Sequence, residues 1–524
     1  MKYFGRKALA SATGAVRVRR RWTGPGIGWL AGALVAAMAA VFMGMVTALG
    51  SMTLTVIVAG MLLAPPMLLL IDTRKLLPTL FVIVFLVQGS LQFFFGLRAA
   101  TWLASGLIAM LLVRSVVEIF MSGPKSKAAI AGPPPYGIVL FAGLYLLVYL
   151  FSLALGDAST TQRISTLRFS IPIFGVLLAF YCFRWEDKQL QRLWLLLIAI
   201  AIVQLPLVTY QHFFMMATHG WDGVVGSFGH GLSPVLIVFV LAAMLYTLSR
   251  WTRNLIPGWQ VAAAFIVGMA IILLGEVKIV LVWLPVGVAF VLRRKLLRNV
   301  LNLVAFICLA SVFFVGTYAA YKVMYWGEVE KTGGTLSEKL DSVVGYAFDP
   351  DGVNDQTGEI SRVASLALWA RDPLTGGVER FIGYGPGSTS ISATTGMGKI
   401  AARYRGLAVG STAVSTLLWD VGLLGMSAFI LMLGSGIVAG LRYTKVSQHQ
   451  EASAIVDTST AVLILLCSTL VYNRTVLDEP TSQLLCFFCL GCIGHYWRFD
   501  MPKWKAKPLY GPTPVPATSM QVAT

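Results

Sequence analysis

What most constrains this chain is the grouping of its apolar residues. They run in unbroken blocks of about twenty rather than in stripes of period 3.6. Residues 29–49, 53–71, 137–155, 193–208 and 299–320 are examples. A continuous apolar block of about 20 residues crosses the hydrocarbon layer as a helix, because all its backbone polar groups are then paired internally. Charged residues make up only 12% of the 524, where a soluble domain carries about a quarter. The expected fold is all-α: a polytopic membrane helix bundle of about fourteen transmembrane helices.

The spans fall at 29–48, 53–71, 78–96, 99–119, 137–156, 169–183, 192–214, 231–249, 259–276, 279–292, 299–320, 408–440, 455–472 and 481–497. Alternate connections between them are basic, as with Arg74/Lys75, Arg250/Arg253, Arg293/Arg294/Lys295 and Arg442/Lys445. By the positive-inside rule these face the cytoplasm, and both termini fall on that side. The organisation predicted is a basic cytoplasmic tail (1–28), helices 1–11 (29–320), one large periplasmic loop (321–407), helices 12–14 (408–497) and a disordered cytoplasmic tail (498–524). Within the loop, 336–347 and 362–370 have helical spacing, and Gly383-Tyr384-Gly385-Pro386-Gly387 reads as a turn. The bacterial inner membrane is the expected location, with no cleavable signal peptide, because the basic N-terminal stretch is long and leads into a full span.

Several function classes drop out. The net charge of +18 is spread over short connections rather than one face, so nucleic acid is not the expected partner; membrane lipid is. No Walker loop and no nucleophilic triad is present. Cys486, Cys489 and Cys492 repeat every three residues in one span without His or carboxylate at metal spacing, so they read as thiols facing lipid or a neighbouring helix. Neither a metal nor a cofactor is expected.

The informative residues are cations outside the basic loops: Arg98, Arg163, Arg168, Lys278 and Arg474, each near a helix end. Singly, such a residue can just snorkel to the interface; as a set they can line an anion site, a diphosphate being the natural anion at a membrane surface. Gly275-Glu276-Val277-Lys278 puts an acid and a base inside an apolar stretch. The pair is either a structural ion pair at a tight outer turn or the lining of a wet cavity. Gln211, His212 and Asp420 are further candidates for cavity lining. His230 lies in the connection after the seventh span.

Taken in order, these elements resemble the O-antigen polymerase and ligase superfamily of bacterial polysaccharide assembly. The likeness rests on Ser361-Arg362-Val363 through Trp369, Asp372-Pro373-Leu374-Thr375-Gly376, the Gly383–Gly387 segment, and Trp419-Asp420-Val421-Gly422-Leu423-Leu424-Gly425. Upstream, Tyr210-Gln211 and Val225-Gly226-Ser227-Phe228-Gly229 are similar to the family's Gln and Gly-Thr-Phe elements. Where that family's ligases carry His-Asn, this chain has Ser411-Thr412, which shifts weight toward a polymerase.

The resemblance implies an inner-membrane glycosyltransferase joining undecaprenyl-diphosphate-linked repeat units into a surface polysaccharide. A flippase and a chain-length regulator of the same pathway are its expected partners. It implies Arg362, Lys278 and Glu276 as catalytic, with Arg163, Arg168, Gln211, His230, Ser411 and Arg474 binding substrate. The alternatives are a ligase moving a finished glycan to an acceptor, and a lipid-linked oligosaccharide flippase or transporter.

Overall fold

The computed structural model describes residues 72–97, 100–121, 132–156, 158–215, 223–275, 277–321, 349–354, 358–392, 396–405 and 407–501, with scattered helical residues between 37 and 59. The chain divides into two compact units, Met1–Leu62 and Leu63–Thr524. In the first, the described residues are helical; the rest of spans 29–48 and 53–71 lies outside the described residues. So do Glu276, the predicted loop helix 336–347, the N-terminal tail and residues 502–524 of the C-terminal one, whose first residues instead continue the last helix.

The second unit is a helix bundle. Its elements are α1 (Thr73–Phe95), α2 (Ala100–Met121), α3 (Tyr136–Leu155), α4 (Thr160–Ser170), α5 (Phe174–Cys182), α6 (Asp187–Met215), α7 (Ser233–Trp251), α8 (Gly258–Leu274), α9 (Val280–Leu296) and α10 (Val300–Tyr321). After the loop come α14 (Ala413–Val446), α15 (Gln450–Thr469), α16 (Thr475–Asp478) and α17 (Pro480–Phe499). Among the described residues, 9 helices are long and apolar enough to cross a membrane, α4 and α5 together counting as one. The shorter α8 and α9, and α17, occupy further predicted spans.

Helix α7 and helix α15 form the centre, 89% and 83% buried over their apolar windows. By contrast, the window of α10 is 6% buried, and Leu309, Val312 and Val315 stand well exposed on it. An apolar helix this bare has no stable place in water, and hydrocarbon solvates it without penalty. The fold therefore fits a multi-pass membrane protein. Helix α14 packs most extensively against α3 and α15. Gly440 lets α14 and α15 approach closely, since a Cβ there would overlap Thr460. Cys486, Cys489 and Cys492 lie buried in the core, on α17.

The described part of the loop folds onto the start of α14. It contains two short antiparallel ladders, β1 (Val353–Asn354) with β2 (Glu359–Ile360) and β3 (Ile391–Ser392) with β4 (Gly396–Met397). Between and after them lie α11 (Arg362–Arg371), α12 (Gly377–Ile382) and α13 (Lys399–Arg403). Ser361 caps α11, its hydroxyl accepting from Ala364 N–H at 3.0 Å. Asp372, buried, stops that helix and accepts from Leu374 N–H, the Thr375 hydroxyl and Arg403. Tyr384, Ile400, Val409 and Trp419 make a small core of their own beneath these turns.

Candidate functional site

The site is built where the glycine-rich turn meets α14. Gly422 leaves helical geometry inside α14, with φ 68° and ψ −171°. A helix broken inside a bilayer must find other partners for its freed carbonyls. The turn supplies them: Tyr384 N–H donates to Trp419 O at 2.8 Å and Gly385 N–H to Asp420 O at 3.1 Å. Ser152 of α3 adds its hydroxyl to Asp420 O at 2.6 Å. The approach is so close that a Cβ on Gly383 would strike the Asp420 backbone, and one on Gly422 the Phe381 backbone. Both glycines also have positive φ, which a side chain would strain.

The Asp420 carboxylate completes the latch. Oδ2 accepts from Gly387 N–H at 2.9 Å; Oδ1 accepts the Ser388 hydroxyl at 2.7 Å and both the N–H and hydroxyl of Thr389 at 3.3 Å. A carboxylate holding that many donors in a buried site is worth more than any single neutral pair.

Beside this latch is a cavity of about 320 Å³. Its walls come from α3, α4, the turn after Pro386, α14 and the α16–α17 segment. Two cations line it, Arg168 and Arg474, together with two carboxylates, Asp478 and Glu479. Gln162, Ser165, Thr166, Thr389, Ser390 and Thr416 add donors and acceptors. Arg474 pairs with Asp478, Nε to Oδ2 at 2.7 Å. Burial, with the charge of Asp478 second, pushes the Glu479 carboxyl up to about 8, against the pull of Arg474 and Arg168.

Arg168 is the most telling residue in the cavity. Its guanidinium lies 3.9 Å from the Trp102 ring centre and 4.2 Å from that of Phe169. Among the described residues its Nε and Nη1, buried against those rings, have no hydrogen-bond partner. The charge of Arg168, at the cavity wall beside Arg474, suits the cavity to an anionic ligand.

Helix α4 holds Arg168 in place. Ser159 and Gln162 form a reciprocal capping box at its start. Gln162 Nε2 also donates to Met397 O at 3.0 Å, and Arg163 Nη2 to Gly156 O at 2.8 Å, tying α4 to the loop and to α3. Arg163 thus braces the cavity wall from outside it.

Arg362 does not line the cavity. Its Nε donates to Tyr472 O at 2.8 Å, and its guanidinium sits 4.4 Å from the Tyr472 ring centre. It therefore holds the turn that carries Arg474, two residues on. Trp283 packs edge-on against the same Tyr472 ring at 5.9 Å, which links this turn to the start of α9. Lys278 is exposed in the turn before α9 and does not line the cavity.

The remaining predicted residues lie elsewhere. Gln211 is buried, with Oε1 accepting from Val225 and Gly226 N–H and Nε2 donating to Gly226 O; its amide pins the Gly-Ser-Phe turn. His230 stacks near Phe93, ring centres 4.9 Å apart. Ser411 precedes the cap of α14, where Thr412 and Ser415 form the capping box. Glu479, Asp478 and the Tyr145/Tyr149 pair were not singled out from sequence. The signal available was Arg474 followed by two adjacent acids and Pro480 at a span's start. Compared with models of known protein families and with curated proteins, the chain matches none.

Proposed function

We propose that this protein is a glycosyl polymerase of the bacterial inner membrane, joining undecaprenyl-diphosphate-linked repeat units into a surface polysaccharide. The observation that carries the reading is a polar cavity inside an apolar bundle, lined by two cations, Arg168 and Arg474. A lipid diphosphate has the charge and geometry to fill it.

In this reading the acceptor sugar's hydroxyl oxygen attacks the anomeric carbon of the donor. The bond from that carbon to the diphosphate oxygen breaks, and the diphosphate leaves with the electron pair. Arg168 and Arg474 stabilise the charge that develops on it. Glu479, in its ionised form, takes the hydroxyl proton, since a carboxyl raised toward neutrality is matched to general-base work. Arg362 acts by positioning the Arg474 turn. Thr412, in the place of the ligases' His-Asn, is used as a helix cap, which favours a polymerase over a ligase.

Arg168→Ala should lower polymer yield by about 10²-fold or more at unchanged protein level, the loss typical of a charge-stabilising donor. Arg168→Lys should rescue poorly, because an ammonium lacks the planar fork. Arg362→Ala should act through Arg474, so that the double variant with Arg474→Ala is no worse than Arg474→Ala alone. Polymer at the normal level from Arg168→Ala would remove the cavity from the reaction.

The reading includes about fourteen spans, both termini in the cytoplasm and the loop in the periplasm. Asp351→Cys, at a side chain 81% exposed, tests the sidedness in a background with native cysteines replaced. An impermeant thiol reagent should label it in cells whose inner membrane is intact. Labelling that requires inner-membrane permeabilisation would invert the topology.

A further inference from the structure

At the end of the bundle away from the loop, where α14 finishes, a second charged region has no part in the reaction above. Asp457, 2% exposed, sits about two turns inside α15. Each of its oxygens is taken by a guanidinium, Oδ2 by Arg253 and Oδ1 by Arg293 at 2.6 Å. Arg250 pairs with Glu451 at 3.1 Å, and among the described residues its buried Nε has no partner. Arg294 donates to the Thr444 carbonyl, and Lys295 lies 4.8 Å from the Trp251 ring centre. Five cations thus gather on two carboxylates. A cavity of about 400 Å³ opens among them, lined by Arg253, Arg294 and Lys295 and by the Asp457 carboxylate that Arg253 neutralises.

On the other flank of the same α7–α8 turn is a groove of about 340 Å³ between α6, α7 and α8. Its walls are apolar, with Ile198, Ala201, Val240, Ala264 and Val267, and Arg250 stands at its charged end. Cations that merely mark a cytoplasmic helix end spread into solvent. Here Arg250 and Arg253, only 13% and 10% exposed, are held by Glu451 and Asp457, and the exposed Arg294 and Lys295 stand at the polar cavity with a hydrocarbon-sized groove on the other side of the turn.

We propose that this region binds an anionic phospholipid of the surrounding bilayer, with its phosphate on Arg294 and Lys295 and one acyl chain in the α6–α7–α8 groove. The excess of cations sets the sign of the headgroup, and the groove distinguishes a lipid from a free anion. Bound there, the lipid braces α7, α8, α9 and α15 together, so occupancy reads out as stability of the whole chain.

The test is thermal unfolding of the purified full chain in neutral detergent, titrated with phosphatidylglycerol, phosphatidylcholine or inorganic phosphate. Phosphatidylglycerol should raise Tm in a saturable, salt-weakened manner, and the other two should not. Lys295→Gln loses no carboxylate partner and so is the safer variant; it should weaken the apparent affinity about fivefold. Ala264→Phe, which fills the groove and leaves every charge in place, should weaken it as well. An equal response to phosphate would make the site one for free anions. An equal response to phosphatidylcholine, or an unchanged affinity in Lys295→Gln, would overturn the proposal.

Discussion

Asp420→Ala should release the glycine-rich turn from α14 and abolish polymer while the protein still inserts in the membrane. The carboxylate accepts four hydrogen bonds from residues Gly387–Thr389, two from backbone N–H groups and two from hydroxyls. Removing it strands the backbone donors in a buried site, at about 1–3 kcal/mol for each unsatisfied group. Asp420→Asn is the sharper probe. An amide keeps one oxygen, which in the Oδ1 place still takes the Ser388 and Thr389 donors, while its NH2 meets the Gly387 N–H head-on, so the charge and the Gly387 bond are lost without any change in volume. The measurement is protease or thiol access at Ser390 alongside polymer yield. Increased access together with lost polymer fits a latch. Lost polymer with Ser390 still protected would mean that Asp420 acts on the substrate directly and that the latch assignment is wrong.

The helical bundle was legible because the bilayer's demand is blunt: a block of apolar residues long enough to cross it. Span 137–156 appears as Tyr136–Leu155 and span 231–249 as Ser233–Trp251. The places where hydropathy failed are those that build the site. The span read as 169–183 has a polar helix in front of it, Thr160–Ser170, started by the Ser159/Gln162 capping box. Gln162, Ser165, Thr166 and Arg168 carry too little hydrophobicity to register as a span, and they are the cavity wall. A segment that breaks the local rule to serve a site is expected of functional residues. In the same way, 408–440 reads as one continuous span, and nothing in its hydropathy marks Gly422 as a break; the positive φ depends on a loop folding back from elsewhere in the chain. The acid–base pair at Gly275–Lys278 was conspicuous for the opposite reason. It interrupts an apolar run in sequence, yet Lys278 lies outside the cavity. Sequence separation hid the more telling neighbours, Arg168 and Glu479, which the packing of α4 against the α16–α17 segment brings to one cavity.

Glu479 gives the second large effect, and it is read through pH. Its carboxyl is raised from an ordinary 4.5 to about 8, chiefly by burial and next by the charge of Asp478. Between those values the folded protein holds a proton that the unfolded chain has released. The stability this group contributes is therefore complete below about 4.5 and is lost as pH rises through about 8. For the reaction the sign runs the other way, because only the ionised form can accept the acceptor's proton. In proteoliposomes under saturating lipid-linked substrate, the rate should climb about tenfold per pH unit below the Glu479 value and level off above it. Glu479→Gln should lose about 10²-fold or more in kcat, with KM little changed, and its pH profile should be flat. The same variant should unfold at a more nearly constant temperature across that pH range, since the buried titration is gone. A Glu479→Gln protein that polymerises at the wild-type rate, or that keeps the wild-type pH profile, would take the proton transfer away from this residue. The diphosphate site at Arg168 and Arg474 would survive that result, because it rests on the two cations lining the cavity and not on the acid opposite them.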